Sequence, residues 1–358
     1  MMRRISRYIG EEFLRYFSMT FLGFLVTFLA IDVLERIDTV LEKGGAFNAF
    51  LRYLLYKIPI VSTDILPFSV LVASTISLGI LSKTKEILAL QTSGAGYHIL
   101  ALPILSVAFV VSLLAVVGKE ASSVLRQKTE FIWAHEIKGE RPSEMSLQAG
   151  KLWYKKGSEV YSIDFAQPDT LQGLRIFKIE DHKLKAFLEA ESAKWEENKW
   201  VLHNVTLWDL ANNKVIRQYE EQMPYPLAFK PKDIRRSLKE PPLMSFEELK
   251  RYIKRAREAG HRPYAHAVEL HCRLSYGFSC LALAMLGVPI ALWTGRRREG
   301  GIPQGIAIGL SIGTVYYTFF SLTQALGKAG YLPPFFSAWA ANIGFMALGV
   351  YISILIKT

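Results

Sequence analysis

Six stretches of this chain are too long and too apolar to sit at the surface of a water-soluble protein: Phe13–Leu34, Ile58–Leu81, Ile99–Gly118, Ala267–Trp293, Ile302–Gln324 and Pro334–Ile356. A hydrocarbon core ~30 Å thick is crossed by ~20 helical residues, and each stretch supplies about that length. None carries the polar face that a surface helix keeps. Charge is segregated to match. Of 43 Lys+Arg and 32 Asp+Glu in 358 residues, 27 and 22 lie between Lys119 and Pro263. The flanks hold too few charges to coat two water-soluble domains. Composition also excludes a disordered chain, a collagen and a disulfide scaffold.

Arg3, Arg4 and Arg7 precede the first stretch, as in a signal peptide. Its apolar run is longer than such a core, and no small-x-small cleavage site follows before Asp32, so it reads as a retained helix. Orientation follows from the Lys/Arg bias of the short loops. With the N-terminus inside, Arg3, Arg4, Arg7, Arg15, Lys83, Lys85, Arg296–Arg298 and Lys357 are cytoplasmic, and Arg36, Lys43, Arg52, Lys57 and Lys328 are external. That bias puts both termini inside and the middle region outside. The net charge of +11 then reads as membrane anchoring plus a mildly basic outer domain. No basic run interleaved with aromatics supports nucleic-acid binding.

From Gly150 onward the pattern changes to short β-branched and aromatic segments: Leu152-Trp-Tyr, Glu159-Val-Tyr-Ser-Ile-Asp-Phe, Gly173-Leu-Arg-Ile-Phe, Leu184-Lys-Ala-Phe-Leu and Lys199-Trp-Val-Leu-His-Asn-Val. Turn residues separate them, which argues an antiparallel sandwich or roll. Lys119–Lys138 reads as a helical extension of the third span. Ser245, with Glu247 and Glu248, opens a helix running to about Glu258. The expected division is 1–118 for spans one to three, 119–265 for the outer β domain with its helical connectors, and 266–358 for spans four to six.

No catalytic or nucleotide-binding signature stands out. G-x-x-x-x-G-K-[ST] is absent, so power for transport has to come from another chain. His261, His266 and His271 are spaced by five and do not share a helix face, so no metal site is expected. Cys272 and Cys280 lie ~12 Å apart along one helix and cannot bridge. G-x-S-x-G and H-E-x-x-H are missing as well.

Three features carry more weight. Between spans two and three, at about 83–93, a short helix is expected, with Ser82 or Thr84 as cap, Glu86 in its first turn, Ile87, Leu88 and Leu90 as apolar contacts, and Gly94 as stop. A rigid rod there is either a lever seated in a peripheral motor's groove or an interfacial helix. In span five, Gly305, Gly309 and Gly313 share one face and admit a close helix partner, within the chain or in a second subunit. Asp32 and Asp64 stand near outer span ends, where an ionised group costs less than the ~3 kcal/mol of the bilayer centre. Glu269 and Arg273 are spaced to pair.

These features together resemble the LptF/LptG permeases of the lipopolysaccharide exporter over nearly the whole chain. The sharpest similarity is Pro59…Pro67-Phe68…Leu78-Gly79…Leu81…Lys85-Glu86-Ile87…Leu90-Gln91…Ser93-Gly94. Gly287-x-Pro289, Gly330-Tyr-Leu-Pro-Pro, Gly150-Lys-Leu-Trp-Tyr and Ala193-Lys-Trp…Trp200-Val-Leu add to it, and the resemblance leans to the LptG type. It implies an α-helical membrane protein with six transmembrane helices and an inserted periplasmic all-β, jellyroll-like domain, in the cell inner membrane. It implies a non-catalytic ABC-transporter permease, without cofactor or metal, that extracts lipopolysaccharide from the outer leaflet. Implied partners are an LptB-type cytoplasmic ATPase dimer, a paralogous LptF/LptG permease and an LptC-type periplasmic bridge protein. By the same resemblance Glu86, with Ile87, Leu88 and Leu90, engages the ATPase, and Gly305, Gly309 and Gly313 belong to the lateral gate. Arg36, Lys43 and Arg52 are head-group candidates by charge and position, and Trp153 and Phe165 are lipid-conduit candidates. Asp32, Glu35, Asp38 and Glu42 depart from the family's lysines near this end of span one. Lipoprotein release, mechanotransmission and a membrane-embedded lipid-modifying enzyme remain alternatives.

Overall fold

In this computed structural model residues 2–42, 47–94, 96–139, 145–148, 151–167, 169–180, 183–210, 216–237, 240–258, 260–295 and 302–357 are described. Lys43, Gly150 and the run Arg296–Arg298 lie outside the described residues. The chain forms two compact units, Met1–Gly139 with Tyr264–Thr358, and Glu140–Pro263.

The first unit is helical: α1 (Met2–Glu42), α2 (Phe47–Lys83), α3 (Glu86–Thr92), α4 (Tyr97–Phe131), α7 (Tyr264–Gly295), α8 (Ile302–Lys328) and α9 (Pro334–Lys357). All but α3 are long and apolar enough to cross a membrane, giving the six expected spans. The central element is α2. Every residue from Val70 to Leu78 is buried, among them Thr75 and also Ser74 and Ser77, whose hydroxyls return to carbonyls three residues back. Backbone-directed hydroxyls of this kind cost little in an apolar bundle. By contrast α1 leaves Leu14, Met19, Leu22, Val26 and Leu34 exposed.

Helix α4 does not stop at Gly118. It runs on to Phe131 and closes in a π-helical turn, Ile132–Ile137, so Lys119–Lys138 belongs to the helical unit. Ion pairs hold it there. Lys119 and Arg126 both reach Asp64 of α2, at 3.0 and 2.5 Å.

The second unit contains β1 (Met145–Gln148), β2 (Lys151–Lys156), β3 (Glu159–Gln167), β4 (Thr170–Glu180), β5 (Lys183–Glu196), β6 (Lys199–Asp209), β7 (Ile216–Tyr225), α5 (Pro231–Ser237) and α6 (Phe246–Glu258). Each strand pairs antiparallel with its sequence neighbour in one seven-stranded meander, and β1 and β7 are edges rather than partners. The expected inserted all-β domain is thus an open sheet. Helix α6 starts in a reciprocal capping box, with Glu248 N donating to Ser245 Oγ and Ser245 N donating to Glu248 Oε2.

One line across the sheet governs which side chains face the core. On β3 the core residues are Tyr161 and Ile163, then Ala166; on β4, Leu171, then Leu174 and Ile176. On β5 they are Leu188 and Ala190, then Ala193, and on β6, Trp200 and Leu202, then Val205. A strand normally alternates with period two, so all four strands invert their faces at one position. The line joins Asp164, Gly173, Glu191 and Asn204, which drop out of ladders whose register is otherwise unbroken there. Gly173 and Asn204 adopt φ of 62° and 53°. Those are conformations that Gly and Asn tolerate best. A Cβ at Gly173 would also collide with the Asp164 side chain. Gly173→Val is expected to destabilise the unit by about 3 kcal/mol from left-handed strain plus the clash, measured as a lowered denaturation midpoint.

Candidate functional site

The short helix α3, between the second and third spans, begins later than expected. Helix α2 continues through Lys83, and the Thr84 hydroxyl caps no backbone N–H of α3: it donates to the Glu86 carboxylate at 2.8 Å, with Ile80 O behind it at 3.2 Å. Lys85 takes the boundary with φ 63°, so the helix spans Glu86–Thr92 rather than about 83–93. Gly94, at φ 88°, stops it as expected and donates to Gln91 O at 3.0 Å.

This short rod is anchored on one side and bare on the other. Ile87 is buried in the same cluster as Ile9, Leu81 and Leu100, and Leu90 packs against that cluster. Leu88 is 58% exposed and points away from it. Glu86 is already engaged: Tyr8 of α1 donates to Oε2 at 2.9 Å, and Thr84 donates to Oε1 at 2.8 Å. Sequence reasoning missed Tyr8, for nothing in a chain marks a contact 78 residues away.

The glycine face of α8 lies against α2 of the same chain. A Cβ on Gly305 would stand 2.8 Å from Ile76 Cα, one on Gly309 2.9 Å from Val72 Cγ2, and one on Gly313 2.5 Å from Phe68 Cε1. Thr75 Oγ1 donates to Gly305 O at 2.7 Å across this seam. The opposite face of α8 leaves Leu310, Val315, Phe319 and Leu322 uncovered.

The head-group candidates among the described residues, Arg36 and Arg52, each meet a carboxylate. Arg36 lies 3.4 Å from Asp32, with its guanidinium 4.2 Å from the centre of the Trp133 ring. Arg52 pairs with Glu136 at 2.5 Å. Lys57, which sequence reasoning did not single out, holds Asp32 at 2.9 Å. Asp32 and Asp64 are therefore counter-ions of named cations. Arg273, only 4% exposed, meets Glu269 at 3.8 Å as the spacing implies, and Glu120 of α4 at 2.8 Å. Arg273→Met would take this cation from Glu269, whose side chain is 12% exposed, and from the half-exposed Glu120. Removing one partner of a buried pair costs about 3 kcal/mol, so an earlier thermal transition in detergent is expected, with Glu120→Gln in the same background recovering part of it.

In the second unit Trp153 pairs with Ser162 on the face opposite Leu152 and Tyr154. Phe165 is buried beneath α6, its ring 5.5 Å from Tyr252 and 5.3 Å from His261. Both conduit candidates thus face away from the apolar cluster, which is built from Tyr154, Tyr161, Ile163, Leu174, Leu188, Trp200 and Leu202. Burial, and then the neighbouring Glu159 carboxylate, push the Tyr161 phenol well above its ordinary value, so it remains a neutral donor. On the other face a groove of about 700 Å³ follows the inversion line, walled by Asp164, Gln172, Glu189, Asn204, Arg255 and Glu258.

The family model described as lipopolysaccharide export system permease LptF/LptG matches residues 7–355. The chain belongs to the LptF/LptG family. Comparison with curated proteins gives no match. As an LptF/LptG member it is a multi-pass membrane protein and the permease part of the lipopolysaccharide export ABC transporter, a transport subunit rather than a catalyst.

Proposed function

We propose that this LptF/LptG permease is of the LptG type and draws lipopolysaccharide from the outer leaflet of the inner membrane, with both termini cytoplasmic and the β domain periplasmic. It works with an LptB-type ATPase dimer, an LptF-type paralogue and an LptC-type bridge protein. The positive-inside bias supports the orientation. The observation that carries the mechanism is α3: Ile87 and Leu90 fix it to the bundle core, while Leu88 and Glu86 stay at its surface. A rod rooted this way hands displacement to α2, the helix every glycine of the α8 seam touches.

The bare apolar flanks of α1 and α8 fit a lateral gate toward lipid, with Gly305, Gly309 and Gly313 holding α8 on α2. Arg36 and Arg52 offer guanidinium groups for lipid phosphates, each in exchange for its present carboxylate. Fatty tails leaving a bilayer need an apolar surface, because each Å² of apolar area exposed to water costs ~25 cal/mol. The apolar face of the sheet supplies that surface, and it is the face of Tyr154 and Leu202 rather than of Trp153 and Phe165.

A photoreactive residue at Leu202 is expected to crosslink lipopolysaccharide in the energised transporter, and one at Thr206, on the other face, is not. Crosslinking of acylated lipoprotein at Leu202 instead would move the chain to lipoprotein release. Purification with a second copy of itself, in place of a distinct paralogue, would overturn the LptG assignment.

A further inference from the structure

The apolar face of the sheet is occupied by the chain's own residues. The segment Leu227–Ile234, which follows β7, places Phe229 and Ile234 in that cluster, at 2% and 0% exposure. The Phe229 ring stands edge-on to Tyr154 and Tyr161, 5.4 Å from each, and 6.2 Å from Trp200. Trp200 Nε1 donates to Phe229 O at 2.9 Å, and Lys156 Nζ donates to Ala228 O at 3.5 Å.

Its attachment differs from that of a strand. Pro226 and Pro231 flank its first four residues, Leu227–Lys230. Proline fixes φ and lacks the donor that a ladder needs, so the segment cannot extend the sheet as another strand. No strand depends on it either: all seven are paired among themselves. It can leave without breaking a ladder hydrogen bond, giving up the bonds from Trp200 and Lys156, the bond between the Ala228 backbone and the Tyr161 side chain, and the burial of Phe229 and Ile234 with the partly buried Leu227 and Ala228.

We propose that Leu227–Ile234 is a displaceable strap, which covers the apolar face between transport cycles and gives way when the fatty tails of the cargo take the places of Phe229 and Ile234. This rests on the conduit reading above. Exchanging apolar side chains for apolar tails keeps the buried area nearly constant, so cargo displaces the strap without exposing either to water. A face left open between cycles would be a large apolar patch in an aqueous compartment, the kind that draws wrong partners.

The test tethers the strap reversibly in the complete permease–ATPase complex. Lys156→Cys and Ala228→Cys are joined by a cleavable bis-maleimide, with the native Cys272 and Cys280 both buried. A benzoylphenylalanine replaces Tyr154, whose ring abuts Phe229. Without the tether, lipopolysaccharide is expected to crosslink at position 154 on addition of ATP. With the tether, that crosslink and export are both lost, and both return when the tether is cleaved. Undiminished crosslinking and export in the tethered protein would overturn the strap. Export that proceeds with no cargo crosslink at position 154, tether or none, would instead overturn the conduit reading beneath it. As a second variant Trp200→Phe keeps the ring and removes the donor to Phe229 O. Cargo crosslinking at position 154 should then occur at lower ATP, and an unchanged ATP requirement counts against the proposal.

Discussion

Glu86→Lys should leave the helical unit folded and strip the chain of its ATPase. The carboxylate lies at the protein surface, so a lysine there buries no new charge, and the anchors Ile87 and Leu90 are untouched. What changes is the sign of the group offered to the partner. A hydrogen bond to a charged group is worth about 1.5–3 kcal/mol, and a repelled cation adds to its loss, so affinity should fall on the order of 100-fold. Co-purification in mild detergent reads this directly, with the thermal transition as control for folding. Tyr8 and Thr84 hold Glu86 at 2.9 and 2.8 Å, so the docking proposed for Glu86 competes with those bonds. Tyr8→Phe removes one competitor and is expected to tighten capture by several-fold. Leu88→Asp, on the bare side of the rod, should weaken it. Full ATPase retention by Glu86→Lys would remove α3 from the coupling route.

The spans were legible because lipid imposes one requirement, a run of about twenty apolar residues, and that requirement is local. The end of α3 was legible for a similar reason: Gly94 supplies the left-handed stop from one position. Its start was not. Thr84 reads as a cap, but α2 runs on to Lys83 and the boundary falls on Lys85 at φ 63°, so the Thr84 hydroxyl meets the Glu86 carboxylate instead of a backbone N–H. The faces that Trp153 and Phe165 take were not legible, because they depend on long-range order. Strand alternation read from Tyr161 would put Phe165 on the core face, and the inversion at Asp164, shared by three neighbouring strands, moves it under α6. Gly173 and Asn204 were visible in the sequence, but their alignment across the sheet is a property of the register. The same holds for Asp64, whose partners Lys119 and Arg126 sit 55 and 62 residues away.

The largest stability effect is expected from the α2–α8 seam, from Gly305→Leu. In a bilayer, lipid tails are as apolar as side chains, so helices gain little by hiding apolar area and hold together through close contact and interhelical hydrogen bonds. At Gly305 the neighbouring atoms are backbone, Ile76 Cα at 2.8 Å and Ile76 N at 2.9 Å from a built Cβ, and backbone cannot swing aside as a side chain can. A leucine therefore pushes the two helices apart, which also breaks the bond from Thr75 Oγ1 to Gly305 O. That forfeits one interhelical hydrogen bond, about 1 kcal/mol, on top of an overpacking cost of about 1–3 kcal/mol. A fall of roughly 10 °C in the detergent melting temperature is expected. Gly313→Ala faces a movable ring, Phe68, and should cost much less. The ordering separates a seam from a gate surface: if Gly305 and Gly313 faced an open lipid passage, both variants would melt like the parent and differ only in transport. Equal melting of parent and Gly305→Leu would mean that α8 does not ride on α2, and the proposed transmission from α3 to a lateral gate would need another path.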